Sequence, residues 1–363
     1  MLVSLALAIP ILYGVYMTML YGEAAHGTNI DVPWGILIAA YIFFVVSSTG
    51  LCLISSLGHV FGYKNFEMIA KRSVMLAMIT LLIGFIMIGM DLGVLLNFYW
   101  VMLSPNLQSA IWWMGTLYSV YLVFLLLEFR QLSIGNHKGA AYMGLGAFIA
   151  GIAAHSNLGA VFGYLAARPF WTGPYLPIYF ILSALASGSA LVIIIMHVAN
   201  HGSSDFSAKA RETLIAITRL FGLFLGITIF FYFWKVVTGL QSGVPGNVEA
   251  VMLMLTGPLA FKFWVFEVLM GMLLPFVAIL VTKAQNLRVS FWAALSAMFG
   301  IFFMRFGLVI TGEILPSVPG YGLEIAPYSP TSAEIAIVVG GIGLCAFLYL
   351  LAERLFDLGE VNP

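Results

Sequence analysis

Four ionisable residues stand inside long apolar runs: Asp91 in GMDLGV, His155 in AAHSNLG, Glu267 in FWVFEVLMG and Arg305 in FGIFFMRFGLVITGE. A charge surrounded by hydrocarbon costs at least ~2.5–3.5 kcal/mol on insertion scales, so each calls for a partner. Glu267 is the first candidate to offset Arg305, and Asp91 the second. Such a set is either a structural ion pair that locks two helices or a polar pocket that holds a ligand headgroup and moves protons. His155 favours the pocket, because Ser156 and Asn157 follow it directly. An imidazole titrating near its ordinary value of about 6.5 can donate to a quinone carbonyl and accept the proton of a quinol. A nearby acid would relay that proton.

The elements that must position these residues follow from composition. Of 363 residues, 62% are hydrophobic and only 8% are charged, with a mean hydropathy of +1.05. So few polar groups cannot cover a soluble surface of this size, and the chain reads as an all-α integral membrane protein. The net charge is zero, which gives nucleic acid nothing to hold. Ten runs have about the 20 apolar residues that cross a bilayer as a helix. They are 2–20, 34–60, 72–96, 109–129, 139–164, 175–197, 214–238, 258–282, 289–311 and 333–353. The first run lacks a basic leader and an A-x-A site, so it reads as a retained helix rather than a signal peptide. Cys52 and Cys345 lie apart in apolar runs and read as packing residues.

Positive charge segregates to alternate loops. Lys64, Lys71 and Arg72, then Arg130 and Lys138, Lys209 and Arg211, Lys283 and Arg288, and finally Arg354 follow the even-numbered runs. The positive-inside rule then predicts a multi-pass protein of a prokaryotic cytoplasmic membrane with both termini cytoplasmic. Arg168 is the clearest exception, and the loop at 312–332 is long enough to act as a lid, a docking surface or a plain connector. At about 1.5 Å per residue, Arg305 and His155 lie ~22 Å from the cytoplasmic face and Glu267 ~12 Å from the outer one. Asp91 falls slightly further out, while Lys235, Lys262 and Arg168 sit near the outer rim. Trp171 and Tyr232 are candidate walls for a flat ring, although aromatic belts at the interface explain Trp171 equally well.

An internal match relates SSTGLCLISSLGH (47–59) to LASGSALVIIIMH (185–197). It superposes Gly50 on Gly188, Leu53 on Leu191 and His59 on His197. The repeat divides the chain into a four-helix bundle at 1–138, a second at 139–288, and two further helices with a short tail at 289–363. Small residues such as Ser187, Gly188 and Ser189 allow close helix approach.

Several of these stretches resemble the NrfD/polysulfide-reductase membrane-subunit family. They include PWGILIAAYIFF with STG (33–50), Asp91-Leu92-Gly93, HSNLGAVFGYLAARPFWTGPYLPIYFILSALASG (155–188), FWVFEVL (263–269) and SAMFGIFFMRF (296–306), in that order. The resemblance implies a subunit without a redox centre of its own. It also implies menaquinone or ubiquinone bound near the outer face, beside an iron–sulfur (ferredoxin-like) subunit that exchanges the electrons. Catalytic or multihaem cytochrome subunits would complete the complex. By position in the motifs, His155 and Asp91 would help form the quinone and proton site, and Glu267 and Arg305 its network. Related sequences often follow Asp-Leu-Gly with a cation where Val94 stands here, so Arg305, Arg168 or Lys235 would have to supply it.

Two other readings use the same residues. His59 and His197 occupy equivalent repeat positions and could ligate haem in a b-type cytochrome, although as helix-end residues they more simply anchor the headgroup region. Repeats and mid-membrane charges also mark secondary transporters. Against that, the repeats here are parallel, and no run shows a clear Gly/Pro interruption near its centre. No cysteine-rich cluster motif, haem-attachment motif or nucleotide-binding glycine motif occurs, so no haem or iron–sulfur cluster is expected on this chain.

Overall fold

Backbone amides inside an apolar run can bond only to one another, and each of the ten runs is a helix. They are α1 (Leu2–Ala25), α2 (Ile36–His59), α3 (Lys64–Asp91), α4 (Ala110–Ser133), α5 (His137–Gly163), α6 (Tyr175–Ala199), α7 (Ala208–Leu240), α8 (Lys262–Thr282), α9 (Leu287–Glu313) and α10 (Ser332–Leu355). The computed structural model describes residues 1–92, 99–202, 205–315 and 328–359, and every regular element among them is helical. Most of the 312–332 loop, Val94 and the end of the run 72–96 lie outside the described residues.

Local chemistry sets the ends. Ser207 accepts from the Ala210 amide and starts α7 at Ala208 rather than at 214, because its first two turns are polar and need not stay in lipid. Pro10 has no amide hydrogen and interrupts α1 between Ala8 and Pro10. Thr331 and Glu334 cap each other's backbone at the start of α10. A short helix at Asn247–Leu255, not expected from the sequence, leads into α8.

Enclosure differs sharply between helices. In α2, 89% of the apolar stretch is buried, against 28% in α1 and α8 and 22% in α4, so α2 is central and the others border lipid. The central helix α2 crosses α6 at Gly50 and Gly188, the two glycines that the sequence match superposes. A Cβ on Gly188 would lie 2.7 Å from Gly50 Cα, and one on Gly50 2.9 Å from the Gly188 nitrogen. Only glycine permits that approach. Helix α4 buries Met114, Tyr118, Tyr121, Leu125 and Glu128, a narrow stripe with the 3.5-residue repeat of a helix seam.

Helix α8 departs from regular winding. Residues Lys262–Leu273 form a π-helix, with each amide reaching five residues back. Pro275 has no amide to offer five residues back, and the Met270 carbonyl instead accepts a 2.7 Å hydrogen bond from Ser296 Oγ of α9. Close contact between Gly271 and Gly300 brings the two helices near enough for this, a Cβ on Gly271 falling 3.0 Å from Gly300 Cα. No irregular turn was expected here, since neither glycine nor proline lies at the turn that carries Glu267.

Candidate functional site

Arg305 is fully enclosed, with 0% exposure. The expected ion pair with Glu267 does not form, nor does one with Asp91; among the described residues Arg305 has no carboxylate within salt-bridge distance. Its Nη2 instead donates to Ser183 Oγ at 2.6 Å. The guanidinium lies 5.5 Å from the Tyr179 ring centroid and 5.1 Å from that of Phe180. Aromatic faces are negative at their centres, so two rings and a hydroxyl offset this charge.

Glu267 sits on the π-helical turn and accepts a 2.6 Å hydrogen bond at Oε2 from the Tyr232 hydroxyl of α7. Gly307, two residues after Arg305, makes room for the carboxylate: a Cβ there would lie 3.0 Å from its Cδ. Arg305 and Lys235 are the cations that act on Glu267 through space. Lys235 rests its Nζ 3.8 Å from the Phe170 centroid and 5.5 Å from that of Tyr175. Tyr175 stacks on Tyr179 at 5.3 Å, and Tyr179 lies 6.1 Å from Tyr232. A continuous wall of tyrosines thus joins Lys235, Arg305 and Glu267.

His155 of α5 is equally enclosed and lies against Phe180, the neighbour of Tyr179 in α6. Its Nδ1 shares a 3.2 Å hydrogen bond with Tyr118, and its ring centroid is 5.8 Å from Phe180. Arg305 is the charge that acts on it. The sequence placed Ser156 and Asn157 with it at one depth, but successive residues on a helix point about 100° apart. Ser156 is half-buried on a different side of α5, and Asn157 is taken up by the Ala110 carbonyl at 2.8 Å.

Three further candidates belong elsewhere. Asp91 ends α3, half-buried, and the charges acting on it are Glu334 and Glu23, not Arg305. That second polar group ties the loops together: Glu334 accepts from Gly27 N, Thr331 N and the Tyr328 hydroxyl. His26 shares a 3.1 Å hydrogen bond with Thr18 there. Burial pushes the His26 imidazole below its ordinary value, with Glu334 and Glu23 opposing the shift. Arg168 pairs with Glu313 at 2.7 Å and also donates to the Glu313, Leu315 and Asp31 carbonyls, which makes it a strap across the loops. Trp171 donates to the Leu308 carbonyl at 2.7 Å and stacks on Trp34 at 5.5 Å. Both side chains are engaged by protein.

Sequence reading passed over Tyr118, Tyr179, Phe180, Ser183 and Gly307. A signal was available: Tyr175, Tyr179 and Ser183 recur at four-residue spacing, which lines one face of α6. It also passed over Glu128, which pairs with His59 Nε2 at 2.8 Å in a buried position. His197 Nδ1 lies 2.8 Å from the Ile193 carbonyl.

The unsatisfied atoms say what the cluster can do. Arg305 Nε and Nη1, the Tyr179 hydroxyl and His155 Nε2 are buried without a well-formed hydrogen bond among the described residues, the Tyr179 hydroxyl lying beside Arg305 and His155 beside the Phe180 backbone. Each such group costs about 1–3 kcal/mol unless something meets it. Unmet donors on Arg305 and an imidazole nitrogen on His155 suit oxygen atoms of a bound molecule, a carbonyl being able to accept two hydrogen bonds.

Comparison with known proteins follows the same outline. Residues 24–317 match the family model described as polysulphide reductase, NrfD. The chain is 28% identical to the "Hdr-like menaquinol oxidoreductase integral membrane subunit" of Archaeoglobus fulgidus, over 92% of this chain and 87% of the relative. It is 24% identical to a selenate reductase subunit of Mesobacillus selenatarsenatis, over 94% and 89%. It is 26% identical to the "Putative dimethyl sulfoxide reductase membrane subunit" of Halobacterium salinarum, over 99% and 91%.

Proposed function

We propose that this chain, which belongs to the NrfD polysulphide reductase family, is the quinone-reactive membrane subunit of a multi-subunit respiratory oxidoreductase. The observation that supports the reading is the set of buried polar atoms on Arg305, Tyr179 and His155 gathered about Tyr179 and Phe180 of α6. They are the residues that would hold the oxygens of menaquinone or ubiquinone. The quinone supplies the redox chemistry: oxidation of the quinol releases two electrons and two protons, and reduction takes up the same.

Each residue has a distinct task. Arg305 supplies fixed positive charge where negative charge would develop on an oxygen. A neutral His155 that accepts from Tyr118 at Nδ1 carries its N–H at Nε2. Glu267 and Tyr232 form a short hydrogen-bonded couple that can hold and pass a proton. Electrons would be exchanged with an iron–sulfur partner subunit, and catalytic or multihaem cytochrome subunits would complete the complex. Relatives named as subunits of menaquinol oxidoreductase, selenate reductase and dimethyl sulfoxide reductase support that assembly. Segregation of basic residues to alternate loops supports a cytoplasmic membrane with both termini in the cytoplasm.

The test is quinol-linked turnover of the purified complex carrying His155→Ala or Arg305→Ala. Either change is expected to abolish turnover while the subunits remain assembled, as judged by gel filtration. Full quinol-dependent activity in His155→Ala would overturn the assignment.

A further inference from the structure

On the outer surface of the bundle, α7 and α8 part to leave an open groove of about 850 Å³. Leu223, Ile227 and Phe230 of α7 and Leu280 of α8 wall it, and Arg219 and Lys283 stand at one end. Its floor forms where Gly226 admits the Phe276 ring; a Cβ at Gly226 would lie 3.1 Å from that ring. From Arg219 to Phe230 the helix rises about 16 Å, close to one leaflet of a ~30 Å hydrocarbon core. Arg219 is an exposed cation inside an otherwise apolar stretch, level with Lys283 at the left-handed C-terminal residue of α8. Neither forms an ion pair among the described residues.

We propose that this groove is a binding site for an anionic phospholipid, its phosphate between Arg219 and Lys283 and one acyl chain along α7 and α8. Charge decides the occupant. Two unpaired cations beside an apolar channel match a ligand with a net negative head and a hydrocarbon tail. A zwitterionic lipid brings its own cation to the same spot, and an isoprenoid tail has nothing to meet either charge. Arg219 offers the phosphate two parallel N–H donors, while Lys283 adds a point charge. The site is separate from the Arg305 cluster, so it stands or falls apart from the quinone reading.

The experiment reconstitutes the full-length chain in nanodiscs of equal dioleoyl-phosphatidylglycerol and dioleoyl-phosphatidylcholine, re-extracts it gently and quantifies retained lipid by mass spectrometry. Phosphatidylglycerol is expected to be enriched over phosphatidylcholine. Arg219→Gln and Lys283→Gln are each expected to lower its retention about fivefold, the value of about one surface cation. Leu223→Trp, which puts a bulky ring into the acyl-chain path and leaves both charges, is expected to lower it as well. Equal retention of the two lipids, or unchanged phosphatidylglycerol in either Gln variant, overturns the head site. Unchanged retention in Leu223→Trp overturns the groove as the seat of the chain.

Discussion

The Tyr232 hydroxyl and Glu267 Oε2 lie 2.6 Å apart, on neighbouring helices and away from water. The tyrosine ring is fixed by Phe263, with centroids 6.0 Å apart, so its hydroxyl is aimed rather than free. In the proposed function this carboxylate is one half of a proton-sharing couple. Tyr232→Phe keeps the ring contacts and removes only the donor. Quinol-linked turnover of the assembled complex is expected to fall at least about tenfold, the value of a hydrogen bond to a charged group. Turnover at the parental rate would remove Tyr232 from the proton couple.

Arg305 should not tolerate lysine. The ammonium group is compact and strongly hydrated, and it cannot reach Ser183 while also lying flat beside the rings of Tyr179 and Phe180. Arg305→Lys is expected to lose turnover nearly as completely as Arg305→Ala. Melting of the purified chain, followed by tryptophan fluorescence, separates this loss from misfolding.

At the α2–α6 crossing a single methyl group is decisive. Gly188→Ala would put carbon against the backbone of Gly50, and backbone cannot move aside as a side chain can. Little folded, monodisperse protein is expected on fluorescence-detected gel filtration. Gly222→Ala is the control, because its Cβ would meet only the Ile279 side chain at 3.0 Å, and it should behave nearly as the parent.

His26 gives the protein a pH dependence outside the membrane. Its folded-state value is lowered from 6.5 by burial, so the unfolded chain binds the proton more readily. The stabilisation from a neutral His26 is complete above pH 6.5 and is lost as pH falls below it. Thermal stability in detergent should therefore drop on acidification through this range, and His26→Asn should flatten that part of the profile. An unchanged profile in the variant would show that another group is responsible.

The helices were legible because hydrocarbon leaves the backbone no alternative, and ten long apolar runs admit only one reading. Burial of Arg305, Glu267 and His155 was legible because ionisable groups in apolar runs must be enclosed by protein, and rise per residue gave each an expected depth. Depth says nothing about azimuth. Asp91 and Arg305 lie at similar levels by residue count, yet Asp91 faces Glu334 and Glu23 while Arg305 faces α6. Pairing by charge also misled, because two rings and a hydroxyl stand beside this guanidinium where a carboxylate was expected. The α6 stripe of Tyr175, Tyr179 and Ser183 carried that information at four-residue spacing. The π-helical turn had no such mark, since Ser296, which compensates Pro275, comes from a different helix.

The backbone contact of Gly50 with Gly188 limits how this protein can move. Where helices touch through side chains, rotamer changes absorb sliding; here main chain meets main chain, and there is no rotamer to change. Sliding of α2 along α6 would therefore drive backbone against backbone. Displacement is left to the periphery, and Tyr232 and Glu267 ride on two peripheral helices, α7 and α8. Parting those two by little more than one bond length would break the hydrogen bond between the hydroxyl and the carboxylate.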